Sequence, residues 1–319
     1  MALPQYNTEE LIKNIKRRCT VPTSQLTLED DDWCALATDE MFDSVVPLLM
    51  SCKSEYFLAY EDITVDSTGI ITIPEKAVGE KLRSVCWLQQ TDPLNLFNIP
   101  RLDLDVIAGL TPSNTSYFTG FYIQGNKLYL YPSSNIPGST TIRLYYFKRN
   151  LVLVKPSLYA QISSIDDIGM SIVVDSVPSS WVAGNTLNAI SSVPSFQTAN
   201  EAMIIQSISN PTIFLDNVTG LTVGDYVSLE GYSAIPQIPL EAHAYLAQLV
   251  AVKALETVAD RPGMEVAQAK ANEMKNNLMI MVSQRVDGSS KKVINPNGGL
   301  RNGAGLGGGK GWGYGRGWW

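Results

Sequence analysis

The spacing of apolar residues changes twice along this 319-residue chain, and the changes constrain the fold more than any single motif. Up to about residue 55 the apolar residues recur at helical intervals. Between about 56 and 236 they alternate with polar residues, as in strands, and from 239 to 286 the helical spacing returns. This order predicts an α+β fold: N- and C-terminal helices pack as one bundle, and a large β-rich region, a barrel or sandwich, is inserted between them.

The helical start carries recognisable end signals. Asn7 and Glu10 have the spacing of a capping box at the first helix. Thr27 is the predicted N-cap of a second helix, with the carboxylates of 29–32 in its first turn, where they interact favourably with the helix dipole. Because Pro47 lies inside this second helical pattern, we expect a kink or break there.

The central segment contains short alternating runs separated by Pro and Gly. Gly125-Asn126 suits a tight hairpin turn that needs positive φ. The runs predicted as strands are 70–74, 82–88, 121–123, 127–131 and 141–147.

A weak internal repeat lies within the same segment. Residues 162–185 resemble residues 205–225, with an offset that drifts only from 43 to 40 positions. Such a duplication predicts two similar β-units forming one small barrel or sandwich, although chance similarity is the alternative. We therefore predict four segments: helices at 1–55 and 236–288, β-rich structure at 56–155, the duplicated β-unit at 156–235, and a flexible tail at 289–319.

The last predicted helix has a row of apolar residues in steps of four and three. This row is a candidate helix seam for contact between subunits. Its residues are Ala267, Ala271, Met274, Leu278 and Met281.

The C-terminal tail has a composition of its own. Eleven of residues 297–319 are glycine, so the segment cannot bury a core and is predicted to be disordered in isolation. Residues 285–319 have a net charge of +5, which leaves −12 on the rest of a chain of net charge −7. Aromatic and cationic residues on a flexible backbone suit anchoring in a partner protein or stacking on nucleic-acid bases; a tail with no role is the third reading. The candidate anchoring residues are Arg301, Lys310, Trp312, Tyr314, Arg316, Trp318 and Trp319.

Composition argues against most enzyme chemistry. His243 is the single histidine, so a histidine-rich metal centre is excluded and a catalytic triad would depend on this residue alone. Residues 303–308 match the G-x-G-x-x-G pattern but lack the strand and helix that dinucleotide binding needs. We therefore predict no catalytic residues, no cofactor and no metal site.

The cysteines and the chain start indicate the compartment. Cys19, Cys34, Cys52 and Cys86 are too widely spaced for a zinc site, and we expect them to be reduced and mostly buried. The N-terminus shows no apolar segment typical of a signal peptide, and no run of residues is long enough to span a membrane. The sequence predicts a protein made in a cytoplasm-like compartment without membrane contact.

Several short motifs resemble those of the head-to-tail adaptor proteins of short-tailed bacteriophages. They lie in the N-terminal helices, the strands and the C-terminal helices, and together they span about residues 5–295, without the Gly/Trp tail. The motifs are LIKNIKRR at 11–18, VPTSQ at 21–25, FDSVVPLL at 42–49, EYF at 55–57, FYIQGN at 121–126 with YP at 131–132, LYY at 144–146, VGDYV at 223–227, IPQIP at 235–239, His243, and QRVDG at 284–288.

The resemblance implies a structural virion protein that is synthesised in the host cytoplasm and then lies at the capsid–tail junction. It implies a homo-oligomeric ring, generally a dodecamer, beneath the portal protein, with tail or nozzle proteins below. DNA would pass through the lumen without sequence-specific contact, which suits an acidic chain. In similar adaptors a C-terminal extension embraces the portal, and the tail here takes that role by position rather than by motif.

Two other functions compete with the adaptor ring. A carbohydrate- or surface-binding virion module is the main alternative, and exposed aromatic clusters on the β-rich region would favour it. An enzyme is the third and least supported, since no nucleophile motif or acid–base pair stands out in the sequence.

Overall fold

The structure, a computed structural model, describes residues 6–19, 28–88, 96–103, 105, 107, 119–132, 140–192 and 194–283. All of them belong to one structural unit. It combines helices and β-sheets, so the predicted α+β class is confirmed.

Five α-helices form at the two ends of the described chain. They are α1 (Thr8–Arg18), α2 (Asp30–Glu40), α3 (Val46–Lys53), α4 (Leu240–Thr257) and α5 (Arg261–Val282). Their apolar faces meet in one shared core, which includes Ile15, Trp33, Leu49, Leu246 and Leu278. The N-terminal and C-terminal helices therefore share one core although more than 180 residues separate α3 from α4.

The ends of the first helices follow from local hydrogen bonds. The Asn7 side chain accepts a hydrogen bond from the Glu10 backbone N–H at 3.0 Å, which confirms the predicted cap of α1. The prediction of Thr27 as the next cap was wrong in position. Helix α2 has Glu29 at its N-cap, and the Glu29 backbone N–H donates to the Asp32 carboxylate at 2.9 Å. The acidic residue three positions on thus fixes where this helix begins.

Pro47 is accommodated without ending the helical path. A π-helical turn, Met41–Val45, joins α2 to α3, and Pro47 occupies the first turn of α3. A proline is tolerated in a first turn because its missing N–H has no helical partner there. The predicted irregularity therefore lies just before the proline, as a wider turn.

In the described residues, fifteen strands lie between the helical segments. They are β1 (Leu58–Val65), β2 (Ile70–Thr72), β3 (Ala77–Leu88), β4 (Leu96–Asn98), β5 (Gly120–Gln124), β6 (Lys127–Tyr131), β7 (Thr140–Lys148), β8 (Val152–Leu153), β9 (Tyr159–Asp166), β10 (Ser171–Val174), β11 (Thr186–Ile190), β12 (Thr198–Ser209), β13 (Thr212–Leu215), β14 (Tyr226–Leu229) and β15 (Tyr232–Ser233). All five predicted strand runs fall on strands of the structure. The predicted hairpin is also confirmed: Gly125 has φ of +60° between β5 and β6.

The first strands form two facing sheets. One sheet has the order β1-β7-β3-β4 and the other β2-β6-β5. A shared apolar core lies between the two sheets. Its central residues, all fully buried, are Val85, Leu128, Ile142 and Leu144. Strands β8 and β15 form a separate short parallel pair. This pair joins the chain just before β9 to the chain just after β14.

Strands β9 to β14 close into a barrel with the order β10-β13-β12-β11-β14-β9. In this order β10 pairs with β13 and β11 pairs with β14. Strands β10 and β13 correspond in the internal repeat, and β11 and β14 begin directly after its two copies. The barrel therefore has an approximate two-fold arrangement. Its interior is filled by small and branched apolar residues, including Ile172, Leu187 and Ile213.

Individual contacts repeat in the two halves of the barrel. Ile162 N donates to Asp225 O at 2.8 Å, and Ile205 N donates to Asn185 O at 2.9 Å. The turn residues repeat as well. Asn185 accepts from the backbone of Val182 at 3.0 Å, and Asp225 accepts from the backbone of Thr222 at 2.8 Å.

A small ionic cluster joins the barrel to the sheet that contains β7. The Glu201 carboxylate on β12 accepts hydrogen bonds from both Lys148 and Lys76. Burial alone would raise the pKa of Glu201, but the two lysines outweigh burial and the pKa lies below its ordinary value. Lys148 also donates to the Thr198 hydroxyl at 2.8 Å.

Candidate interaction surfaces

Most of the predicted subunit seam on α5 is used within one chain. Ala267, Ala271 and Leu278 are buried in the helical core, and Met274 packs against the same core. Only Met281 of the five faces solvent. Because α4 and α3 already cover this row, a contact between subunits has to use other residues.

The predicted anchoring residues of the tail, from Arg301 to Trp319, lie outside the described residues, as does the QRVDG motif. The tail therefore stays a sequence-based prediction.

The outer face of α5 carries a different set of apolar residues. Val266 is 73% exposed and Ile280 is 74% exposed. They are 14 positions apart, close to a whole number of helical turns, so both lie on the same side of the helix. Met281 lies next to Ile280 and is also exposed. This side is separate from the buried row.

A groove lies beside Val266, between α1, α4 and α5. It has a volume of about 560 Å³, and its apolar lining residues include Leu255, Pro262 and Val266. Two charged residues, Asp260 and Lys270, also line it. Arg18, at the end of α1, stands at its edge. We call this surface the Arg18 groove.

Arg18 is an unusual cation for a surface helix. Its guanidinium donates to the Gln248 side-chain oxygen at 2.7 Å and lies 3.9 Å from the Met274 sulfur. Among the described residues, no carboxylate forms an ion pair with it. Partial burial lowers the pKa of Arg18, because desolvation disfavours the charged form. The groove thus combines a mainly apolar lining with the Arg18 guanidinium, which forms no ion pair with any described residue.

The single histidine of the chain is packed in the interior of the protein. His243 is buried, with Nε2 at 3.2 Å from the Ile238 carbonyl oxygen, so the geometry suits a neutral ring that donates there. Its ring contacts Tyr6 and Phe196 at centroid distances of 5.1 and 4.8 Å. Burial lowers the pKa of His243 to about 4. The residue therefore joins α4 to the N-terminal segment and to the barrel.

One hairpin of the barrel projects an apolar side chain. Ile168, between β9 and β10, is 98% exposed, and Met170 beside it is also exposed. Asp166 and Asp167 flank this pair. We call residues 166–170 the hairpin tip.

The outer face of the β1–β7 pair carries aromatic side chains. Tyr60 is 57% exposed and lies across from Tyr145, with ring centroids 6.0 Å apart. The Arg143 guanidinium lies 4.1 Å from the Tyr60 ring centroid and donates to both oxygens of Asp62, at 2.7 and 2.8 Å. The bond to Asp62 raises the pKa of Arg143. Another exposed aromatic residue, Phe97 on β4, has its ring centroid 5.6 Å from that of Trp87 on β3.

The acidic residues at the start of α2 lie close to lysine side chains. Asp31 forms an ion pair with Lys155 at 2.6 Å, and Asp30 lies 3.8 Å from Lys16. Within the described part of the chain, no group of three or more His, Cys, Asp or Glu residues is placed to hold a metal ion. The carboxylates at this helix start therefore act on the helix and its neighbours.

None of the four cysteines, all of which lie in the described residues, forms a disulfide. Cys19, Cys34 and Cys86 are buried and Cys52 is partly buried. Burial raises the pKa of Cys19 to about 11 and that of Cys34 to about 12. Thiols with such pKa values are poor nucleophiles at neutral pH.

Sequence reasoning missed both the Arg18 groove and the hairpin tip. Arg18 looked like one more cation on the polar face of α1, since its Gln248 partner is distant in sequence. The hairpin tip did leave a signal. The repeat offset shortens between the first and second strands of each copy, which marks extra residues at 166–171.

No helix in the described ranges is long and apolar enough to cross a membrane. A scan of protein-family models found no match to this chain, and no curated protein sequence matches it.

Proposed function

We propose that this protein is a structural adaptor that forms a homo-oligomeric ring beneath the portal of a short-tailed bacteriophage and joins the capsid vertex to the tail. The proposal rests on the sequence motifs that resemble this family and on one structural observation. The outer side of α5 presents Val266 and Ile280 to solvent, next to an apolar groove. Exposed apolar surface beside a groove is typical of protein–protein contact sites.

The layout of the helices supports an assembly role. In a ring, one patch of each subunit meets a different patch of the next. The helical part offers two distinct surfaces of this kind, the exposed end of α5 and the Arg18 groove. A second cavity of about 380 Å³ lies beside His243 and Tyr6, along the same α1 and α4 helices.

The charge distribution supports a passage for DNA. Residues before 285 have a net charge of −12. A wall of this sign repels phosphates and favours movement of DNA without retention. The proposed partners are the portal protein, the tail or nozzle proteins, and further copies of this chain.

Assembly with the portal tests the proposal. We expect native mass spectrometry and electron microscopy of the protein mixed with its cognate portal to show a closed ring on the portal. A variant lacking 297–319 should keep its fold by circular dichroism and lose portal binding. A full-length protein that stays monomeric and does not bind the portal at micromolar concentration would contradict the proposal.

The aromatic face of the β1–β7 sheet favours a second candidate, a carbohydrate- or surface-binding virion module. Exposed aromatic rings stack on sugar faces, and Tyr60 is available for such contacts. Phe97 pairs with Trp87 on the opposite face of the same sheet, so it does not extend this surface. In a glycan array, binding that is lost in Tyr60→Ala and retained after removal of 297–319 would support this function. An array without any retained glycan would count against it.

A further inference from the structure

The two halves of the barrel differ at one hairpin. In the first half Ile165 pairs with Ile172 across the turn, and in the second half Ile208 pairs with Ile213. The last strand pair is Asp166 with Ser171 in the first half and Ser209 with Thr212 in the second. The first turn therefore contains four residues, 167–170, and the second only two, 210–211. The additional residues create the hairpin tip, with Ile168 at 98% exposure. The barrel closes in the second half without this extension, so closure of the barrel does not explain it.

The hairpin tip has a defined shape. The Asp166 carboxylate accepts hydrogen bonds from the backbone N–H groups of Ile168 at 3.1 Å and Gly169 at 3.0 Å. A Cβ atom on Gly169 would lie 2.5 Å from an oxygen of this carboxylate, so a larger residue there would displace the Asp166 side chain. Because these hydrogen bonds hold the backbone of the turn, less entropy is lost when Ile168 is buried by a partner.

The Arg18 groove has the complementary chemistry. Its lining is mainly apolar, and Arg18, which also lines it, has no described carboxylate partner. Asp260 lines the groove as well, and its carboxylate accepts a hydrogen bond from the Gly263 backbone N–H at 3.1 Å. The hairpin tip offers an apolar side chain and the exposed carboxylate of Asp167. Since Ile168 is almost fully exposed, the hairpin tip does not occupy the groove of its own chain.

We propose that the hairpin tip of one copy docks into the Arg18 groove of the next copy, with Ile168 in the apolar cavity and Asp167 beside Arg18. This inference rests on the proposed ring. It identifies the hairpin tip and the Arg18 groove as the two different patches that a head-to-tail interface requires. The groove volume of about 560 Å³ also leaves room for Met170. The contact buries an apolar side chain and pairs two opposite charges at the same time.

Cross-linking of two singly substituted proteins tests the contact. Ile168→Cys protein and Val266→Cys protein are mixed, assembled with the portal, and treated with a short bis-maleimide. We expect a cross-linked dimer on denaturing gels that neither variant gives with wild-type protein. Three of the four native cysteines are buried. Because Cys19 lines the groove, both variants and the wild-type control carry Cys19→Ala, so that a cross-link reports on Val266→Cys. Rings that assemble normally but give no mixed cross-link would overturn the docking proposal and leave the ring proposal intact. Failure of the wild-type protein to assemble would overturn both.

A charge exchange tests the polar part of the contact. Asp167→Lys and Arg18→Glu should each weaken association between subunits by about tenfold or more, and the two changes in one chain should restore it. Lys13→Glu reverses an exposed charge on the same helix, α1, and should leave association unchanged. Sedimentation equilibrium gives the association constants, with circular dichroism to show that each variant is folded. No recovery in the double variant would overturn the pairing of Asp167 with Arg18.

Discussion

Ile172 lies directly opposite Ile213 where β10 and β13 pair, and each residue holds the same place in its own half of the barrel. Asn188 and Ser228 show the same relationship where β11 and β14 pair. Because each of these strands pairs with its own counterpart, both contacts lie on the approximate two-fold axis. The arrangement is that expected for a barrel built from a tandem duplication, and it makes paired predictions possible.

The two halves of the barrel should respond alike to loss of one equivalent side chain. Asp175 accepts from the Gln161 backbone at 2.8 Å, and Asp216 accepts from the Ile204 backbone at 2.7 Å. We expect Asp175→Ala and Asp216→Ala each to lower the free energy of unfolding by about 1 kcal/mol. Asp167→Ala, at the exposed hairpin tip, should change it by less than about 0.5 kcal/mol. Urea unfolding of the three variants gives the comparison, and a large effect in one half alone would argue against functional equivalence of the two contacts.

Glu201 should be more important for stability than Lys76, the more exposed of the two lysines that contact it. Glu201→Gln leaves Lys148, which is largely buried, without its anion, and should cost about 1–3 kcal/mol. Lys76→Met removes a more exposed partner and should cost under about 1 kcal/mol. Denaturant unfolding monitored by fluorescence measures both. Equal effects of the two changes would show that burial of Lys148 does not matter.

Stability should decrease as the pH falls below the ordinary pKa of histidine. The folded chain holds the pKa of His243 at about 4, compared with 6.5 for an unperturbed histidine. Between these pH values the unfolded chain binds a proton that the folded chain excludes, so folding is weakened as pH falls from about 6.5 to about 4. The full effect is roughly 3 kcal/mol, and it is absent above neutral pH.

The control for this pH dependence is His243→Gln, which keeps a donor for the Ile238 carbonyl and cannot titrate. Urea unfolding at several pH values should show a shallower decline for the variant than for wild type. Identical slopes in the two proteins would show that another group causes the acid sensitivity.

Asn7 should be worth more than an ordinary helix cap. Its side chain caps α1 and also donates to the Tyr226 hydroxyl of the barrel at 3.4 Å. Asp260 caps α5 through the Gly263 backbone at 3.1 Å in a more exposed position. We expect Asn7→Ala to cost about 2 kcal/mol and Asp260→Ala about 1 kcal/mol in thermal or urea unfolding. A reversed order would mean that the contact with Tyr226 contributes nothing.

The sequence by itself determined the features that depend on near neighbours in the chain. The change from helical to alternating spacing gave the α+β class and the predicted strands, because burial of one face follows directly from the period of the chain. Asn7 as a cap and Gly125 in a hairpin turn were likewise predicted, since each acts on residues within a few positions.

Only the tertiary structure decided which faces are covered. The α5 row from Ala267 to Leu278 looked free in the sequence, and α4 and α3 cover it within the same chain. Gln248, the partner of Arg18, is 230 residues away in the sequence. The exposure of Ile168 depends on how β10 pairs with β9 and with β13. Burial and ion pairing across such separations depend on the packing of whole elements, which local patterns along the chain do not contain. The packing thus covers the predicted seam on α5 and forms the Arg18 groove, which we propose as an interaction surface, from residues on three different helices.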